Sequence, residues 1–145
     1  MDITITITAA ELLPEVYKIT GYTGQKAVQD KDIDRISSTS DDGNILAGYF
    51  MEACNALADI FARTGYASAL TSSTVTYALT FPANWKAGVL TSMTNACKTY
   101  IVNYICRLWF NLSQKGEVTY YEGQCDQLAD TIRKFMYERT KPTRT

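Results

Sequence analysis

The residues of this sequence that could do chemistry are acids and thiols, because the chain of 145 residues contains no histidine. Histidine is the commonest general base near neutral pH and the commonest transition-metal ligand. A nucleophilic serine or cysteine would need another base, and no G-x-S-x-G, S-x-x-K or P-loop motif occurs. Glu52 and Asp59 fall on one predicted helix, where isolated acids are usually solvated. The sequence therefore predicts a protein that is not an enzyme and that uses no cofactor or small-molecule substrate.

Spaced acids in segment 26–43 invite comparison with a calcium-binding loop. An EF-hand loop that starts at Asp30 needs a glycine at its sixth position and a glutamate at its twelfth. Those positions hold Arg35 and Asp41. We therefore predict a solvated acidic loop over 26–43 and no metal site.

The cysteines of the chain are widely spaced, and no C-x-x-C motif occurs. A domain of this length does not need disulfide bonds for stability. Each cysteine falls on or beside the apolar stripe of a predicted helix, where a free thiol behaves as a small hydrophobic side chain. We predict reduced, buried, structural thiols at Cys54, Cys97, Cys106 and Cys125.

The tail 139–145 carries a local excess of positive charge, with Arg139, Lys141 and Arg144. One interpretation is a solvated helix end, where cations interact favourably with the helix dipole. The other is contact with phosphates, although three to five such contacts would give only weak, salt-sensitive binding. The overall net charge of −1 argues against a generally basic surface for nucleic acid.

Isoleucine and threonine alternate from Ile3 to Thr8, which predicts a strand over the first eight residues, 1–8, with one apolar and one hydroxyl-bearing face. Thr8 and Glu11 have capping-box spacing, so a helix should begin at Ala9. Pro14 leaves open whether that helix restarts or bends, and Gly21 should end it. Such a strand is an edge that can pair with Thr74–Phe81 of its own chain or with another chain. The sequence does not decide between the two.

The remaining apolar residues repeat with helical or strand periodicity. A helix capped by Ser40 or Asp41 runs to a stop at Gly65, and a β-hairpin follows over 66–81. A continuous stripe over 85–114 predicts a central helix about 45 Å long, followed by a last helix over 117–139. The predicted fold class is mainly α: a single domain, 1–145, that forms an antiparallel helical bundle with a long central helix, an inserted β-hairpin and an N-terminal strand.

No stretch of the sequence suits a membrane span or a signal peptide. The most apolar run, 100–110, is interrupted by Asn103 and Arg107 and is too short to cross a bilayer. The opening MDITITIT has neither a basic start nor a continuous apolar core. We therefore expect no membrane contact.

The order of these segments resembles the head–tail connector proteins of tailed bacteriophages, the adaptors that follow the portal. The resemblance is carried by an acid-led helix (DDGNILAGYFMEACNALADIFAR), a hairpin (YALTFPANW), a proline-led helix ending in Trp109 and Phe110 (KAGVLTSMTNACKTYIVNYICRLWF) and a closing helix. It covers about residues 40 to 140. The opening ITITxAELLPEVYxxTGYTG also looks like structural proteins of phages and prophages of gut bacteria.

The resemblance implies a structural virion protein at the neck, made in the cytoplasm of the bacterial host. It implies a homo-oligomeric ring of about twelve copies beneath the portal, next to downstream neck and tail proteins and continuing the DNA channel. Other phage neck, tail-completion or decoration proteins, and a cytosolic helical interaction module with weak nucleic-acid binding, remain alternatives. Within the adaptor hypothesis, Arg139, Lys141 and Arg144 contact the portal or packaged DNA. The predicted subunit contacts are Ile3, Ile5, Ile7, Tyr77 and Phe81.

Overall fold

The computed structural model describes residues 1–26, 42–113 and 115–140. Within them the chain is mainly helical, with a small antiparallel sheet, which confirms the predicted fold class. The helices are α1 (Ala9–Lys26), α2 (Gly43–Ile60), α3 (Leu90–Ser113) and α4 (Val118–Met136), and the strands are β1 (Asp2–Thr8), β2 (Gly65–Leu70) and β3 (Thr74–Thr80). Short 3-10 turns, Ala87–Val89 and Lys115–Glu117, precede α3 and α4.

The N-terminal strand pairs within its own chain. The sheet has the order β1-β3-β2, and β1 runs antiparallel to β3 with Ile5 opposite Tyr77. Ile5 and Ile7 point into the core, whereas Thr4 and Thr6 on the other face are exposed. Alternation of β-branched apolar and polar residues therefore produced the strand that it predicts, and the long-range partner is β3.

The start of α1 follows the predicted capping box in part. The backbone N–H of Thr8 donates to a Glu11 carboxylate oxygen at 3.0 Å, so the turn into the helix is stabilised by its own sequence. Pro14 lies inside one continuous helix. The expected stop at Gly21 was wrong, because α1 continues to Lys26 and none of the described glycines adopts the positive φ that commonly ends helices.

The predicted β-hairpin is confirmed, with β2 and β3 joined across Thr71–Ser73. Gly65 is the first residue of β2 rather than the end of α2, which finishes at Ile60. The β2 pairing shifts register between Ala67 and Ala69, and the Ser68 hydroxyl there donates to the carbonyl of Thr76 at 3.3 Å. Strand β2 is therefore bulged, whereas β1 is regular.

The central helix is shorter than its apolar stripe predicts. Helix α3 begins at Leu90, and its 24 residues span about 36 Å rather than 45 Å. Trp85 belongs instead to an extended connector that bridges to Arg139 after the end of α4. Its side chain is nevertheless in the core, which is why it matched the periodic stripe.

The helices cover one face of the sheet, and the apolar side chains between them form one buried cluster. The Tyr77 hydroxyl reaches across this core to donate to the carbonyl of Cys54 in α2 at 2.7 Å. Helices α3 and α4, joined by a short turn, make the most extensive contact between elements. The largest fully buried side chains include Trp85, Tyr77, Phe50, Phe61, Phe81 and Phe110.

Candidate interaction surfaces

The thiols of this protein lie in its core. All four cysteines are free and buried, as the sequence predicts. Desolvation raises the pKa of Cys54, Cys97 and Cys106 from 9.0 to about 12, and that of Cys125 to about 11. These groups therefore stay protonated at neutral pH, and a protonated thiol is a poor nucleophile and a poor metal ligand.

The acidic residues do not assemble a recognisable site in the part of the chain that the structure describes. Glu52 is exposed on α2, while Asp59 lines a groove farther along the same helix. Across residues 1–26, 42–113 and 115–140, no cluster of three or more potential ligands is placed to hold a metal ion. Most of the acidic segment 26–43, with Asp30 and Asp41, lies outside the described residues.

Arg139 has a structural role within its own chain. Its guanidinium donates to the carbonyl oxygens of Met136 and Glu138, at 3.0 and 2.9 Å. These carbonyls lie at the end of α4, where unpaired acceptors attract cations. The structure thus gives Arg139 the helix-end interaction that was one of the two interpretations of the basic tail. The other two tail residues, Lys141 and Arg144, lie outside the described residues, and their contact with portal or DNA stays a prediction.

The Arg139 segment is held by the connector that precedes α3. The Lys86 N–H donates to the carbonyl of Glu138 at 3.1 Å, and the Thr140 N–H donates to the carbonyl of Asn84 at 2.8 Å. Beside them the Trp85 indole N–H donates to the carbonyl of Phe135 at 2.8 Å. We call this set of contacts, Asn84–Lys86 with residues 135–140, the tail clamp. It fixes the point from which the basic tail leaves the fold.

The predicted subunit contacts need correction at four of five positions. Ile5, Ile7, Tyr77 and Phe81 are at most 3% exposed within their own chain. They face the helices because their strands pair with each other, so their side chains have no free surface for a neighbour. Ile3, nearest the start of β1, is only half-buried and keeps a side chain that another molecule can reach.

Grooves lie between the helices in the part of the chain that the structure describes. One, of about 470 Å³, lies between α1 and α3, with Leu12, Ile19 and Val102 among its apolar residues. At its rim Lys98 forms an ion pair with Glu11 at 3.3 Å. Its lining suits an apolar side chain flanked by polar ones.

The second groove, of about 530 Å³, lies where α2, α3 and α4 meet. Its rim contains Asp59, Asp126 and Asp130, of which Asp130 forms an ion pair with Arg133 at 3.3 Å. Tyr100 is part of the lining, and desolvation is the main cause that raises its pKa to about 12. This groove is more acidic and more polar than the first, and the Tyr100 hydroxyl in its lining stays neutral at physiological pH.

Three tyrosines stand out among the exposed side chains of the described residues. Tyr66, Tyr120 and Tyr137 are 65%, 59% and 55% exposed. Tyr66 lies on β2, Tyr120 in the first turn of α4, and Tyr137 directly after that helix. Tyr120 and Tyr137 each adjoin a buried residue, Tyr121 and Met136, but are themselves exposed. Aromatic side chains are enriched at the centres of protein interfaces, which makes these positions candidate contacts.

Over the described ranges, no helix combines the length and apolar character needed to cross a membrane. No protein-family model matches the chain, and no curated protein or solved structure is significantly similar to it.

Proposed function

We propose that this protein is a head–tail adaptor of a tailed bacteriophage, a structural virion protein that forms a ring of about twelve copies beneath the portal. The observation that carries the proposal is the placement of exposed tyrosines at the two ends of one rigid helical pair. An adaptor must bind a different neighbour at each end. The α3–α4 pair provides such a two-ended element.

The separation of the two ends supports this role. Tyr120 and Tyr137 are 17 positions apart along α4 and the residue after it, which places them about 26 Å apart along the helix axis. The extensive packing of α4 on α3 keeps that separation fixed. A contact at Tyr137 can therefore hold one neighbour while a contact at Tyr120 holds another.

The order of elements also supports the proposal. Helix α2, the β2–β3 hairpin, α3 and α4 follow one another in the order of the connector pattern to which the sequence is similar. In this proposal the tail that leaves the clamp, with Lys141 and Arg144, contacts the portal or the packaged DNA. Tyr137 lies within the clamp and contributes to the same portal-side contact, and Tyr120 contacts the downstream neck protein.

The test begins with purified particles of the phage or induced prophage that encodes the chain. We expect the protein in mature particles, and its absence from them contradicts the proposal. Binding to the portal protein encoded with it should produce a complex whose mass corresponds to a ring. A protein that stays monomeric with portal, yet binds DNA in a salt-sensitive manner, favours the cytosolic interaction module instead.

Variants locate the contact. Deletion of 141–145 should abolish portal binding and leave the fold intact, because the clamp residues up to Thr140 remain. Tyr137→Ser should weaken portal binding, whereas the matched variant Tyr120→Ser should leave it unchanged and weaken only the downstream contact. If the truncated protein binds portal as well as the full chain, the tail is not the docking element. A protein found in particles away from the neck favours the decoration alternative.

A further inference from the structure

The outer edge of β1 carries a set of backbone groups that the fold leaves open. Within the sheet β1 is an edge strand, paired only with β3 among the described residues. It has no proline, lysine or bulge, the devices by which proteins commonly prevent edge pairing. Strand β2 at the other edge has such a device, its bulge at Ser68. The two edges of the sheet therefore differ, and β1 is the edge strand that can pair with a strand of another molecule.

The hydrogen bonds at the ends of β1 show which groups point outward. Met1 and Phe81 exchange backbone hydrogen bonds of 2.8 and 2.9 Å, and the Ala9 N–H donates to Ser73 at 2.7 Å. Hydrogen-bonded pairs alternate along an antiparallel ladder, so odd-numbered residues of β1 bond to β3. The N–H and C=O groups of Asp2, Thr4 and Thr6 consequently point away from the sheet.

The open segment ends at Thr8, whose N–H is already taken by Glu11. What remains is a stretch of alternating outward groups on Asp2, Thr4 and Thr6, which is symmetric about Thr4. A second β1 strand placed antiparallel, with Thr4 opposite Thr4 of the other copy and Asp2 opposite its Thr6, satisfies every outward N–H with an outward C=O. The outward C=O groups of each copy accept hydrogen bonds from the outward N–H groups of the other.

We propose that the free protein forms a two-fold symmetric dimer through antiparallel pairing of β1 with β1 of a second copy, centred on Thr4. Side chains agree with this register. The exposed threonine hydroxyls of both copies continue one face, where Thr6 already contacts Thr76 at 3.3 Å between hydroxyl oxygens. On the other face the half-buried side chain of Ile3 comes next to the second copy, while Ile5 stays buried in its own core.

This dimer does not depend on the proposed function. A cyclic ring arranges its copies head to tail, whereas β1 pairing relates two copies by a dyad. The dimer is therefore a state of the free protein that separates when copies dock on a portal. Absence of the protein from particles would overturn the adaptor role and leave the dimer unaffected. A free protein that stays monomeric would overturn the dimer and leave the adaptor role unaffected.

Cysteine cross-linking tests the register with a matched control. In Thr4→Cys the new thiols face each other across the dyad, at the Cα separation of about 5.5 Å that hydrogen-bonded strand pairs have and disulfides accept. In Thr6→Cys the two thiols lie four residues out of register, about 13 Å apart. The four native cysteines are buried and contribute no background. Under mild oxidation we expect a covalent dimer of Thr4→Cys but not of Thr6→Cys.

Backbone chemistry gives an independent readout. In the monomer at low concentration the amides of Thr4 and Thr6 should exchange with solvent much faster than that of Ile5, and at high concentration they should become protected. Thr4→Pro removes one outward N–H from each copy and leaves the bonds to β3 in place. At the usual net value of a hydrogen bond, the loss of two donors lowers dimer affinity about thirty-fold. Thr4→Val keeps both donors and should retain the affinity.

Several results would overturn the dimer. The dimer is refuted if the wild-type chain stays monomeric at every concentration. It is also refuted if an oligomer forms in which the amides of Thr4 and Thr6 still exchange rapidly with solvent. Equal cross-linking of Thr4→Cys and Thr6→Cys, or failure of both, contradicts the register. Protection of Gly65 and Ala67 together with β1 would indicate pairing between β1 and β2 and would replace the symmetric dimer with a head-to-tail chain.

Discussion

Trp85 should be one of the most costly side chains to remove, because it joins the sheet, the connector and the end of α4. Its side chain is 1% exposed and stacks on Phe81 with ring centroids 4.2 Å apart. Its indole N–H donates to Phe135 at 2.8 Å. Truncation of a buried tryptophan to alanine costs about 3–5 kcal/mol, and the lost indole hydrogen bond lies within that range at about 1 kcal/mol. A domain is typically stable by about 5–15 kcal/mol, so Trp85→Ala should remove about a third of the total.

The conservative variant separates the two contributions. Trp85→Phe retains a ring to stack on Phe81 but loses the indole donor. The Phe135 carbonyl keeps a second donor, the Glu138 N–H at 3.3 Å, so it is not left unpaired. We therefore expect a loss of about 1–2 kcal/mol for this variant. The exposed Tyr66 is the control, and Tyr66→Ala should change stability by less than about 0.5 kcal/mol.

The assay is urea unfolding followed by far-UV circular dichroism and by the fluorescence of the remaining tryptophan, Trp109. Amide exchange over 133–136 should also accelerate in Trp85→Ala, because the tail clamp holds the last turn of α4. A loss below about 1 kcal/mol for Trp85→Ala, or a loss equal to that of Tyr66→Ala, would refute the role assigned to the clamp.

Three further predictions concern the cap, the glycines and the thiols. Glu11→Ala should lower the free energy of unfolding in urea by about 0.5–1.5 kcal/mol, since it removes the acceptor for Thr8 and the ion pair with Lys98. Glu11→Gln keeps the acceptor and should lose less stability. Equal losses for the two variants would contradict the capping role. Gly65→Ala should lower the free energy of unfolding by more than about 2 kcal/mol, because its new Cβ would meet the backbone of β3. Gly123→Ala has open space around it on α4 and should raise the free energy of unfolding by about 0.5–1 kcal/mol. The reverse order of thermal midpoints would refute this prediction. Finally, the four cysteines have folded pKa values of about 11 to 12, above their ordinary value of 9.0. Because the unfolded chain loses these protons first, stability should be constant up to about pH 8 and fall as pH rises above about 9; cysteine-to-alanine variants that show the same fall would exclude the thiols as its cause.

Periodicity identified the elements of this fold because each of them buries one face. The alternation of β1 gave its bounds to within one residue, and Glu11 marked the start of α1. The stripe over 85–114 gave α3 but not its first turn. Trp85 is buried from an extended connector, and a helical pattern records only that a residue is apolar, not which backbone conformation buries it.

The surfaces were harder to predict than the core. The sequence could not decide whether β1 pairs within the chain, because a two-faced strand is equally compatible with either partner and the choice depends on contacts with residues 74–80. Once that pairing was formed, Tyr77 and Phe81 became core residues and ceased to be candidates for subunit contact. For Arg139 the sequence left two interpretations open, phosphate contact and a helix-end interaction, and its guanidinium bonds to carbonyls at the end of α4.

The pairing of β1 with β3 also determines when β1 can enter the sheet during synthesis of the chain. Asp2 and Thr80 are bonded partners 78 residues apart, so β1 has no partner in its own chain until the hairpin has been made. At bacterial-type translation rates that interval is about 4 to 16 s. During it the nascent chain displays an unpaired isoleucine-rich strand, and neighbouring ribosomes on the same message display copies of it. Rapid closure of the hairpin is therefore the step that commits each chain to its own sheet.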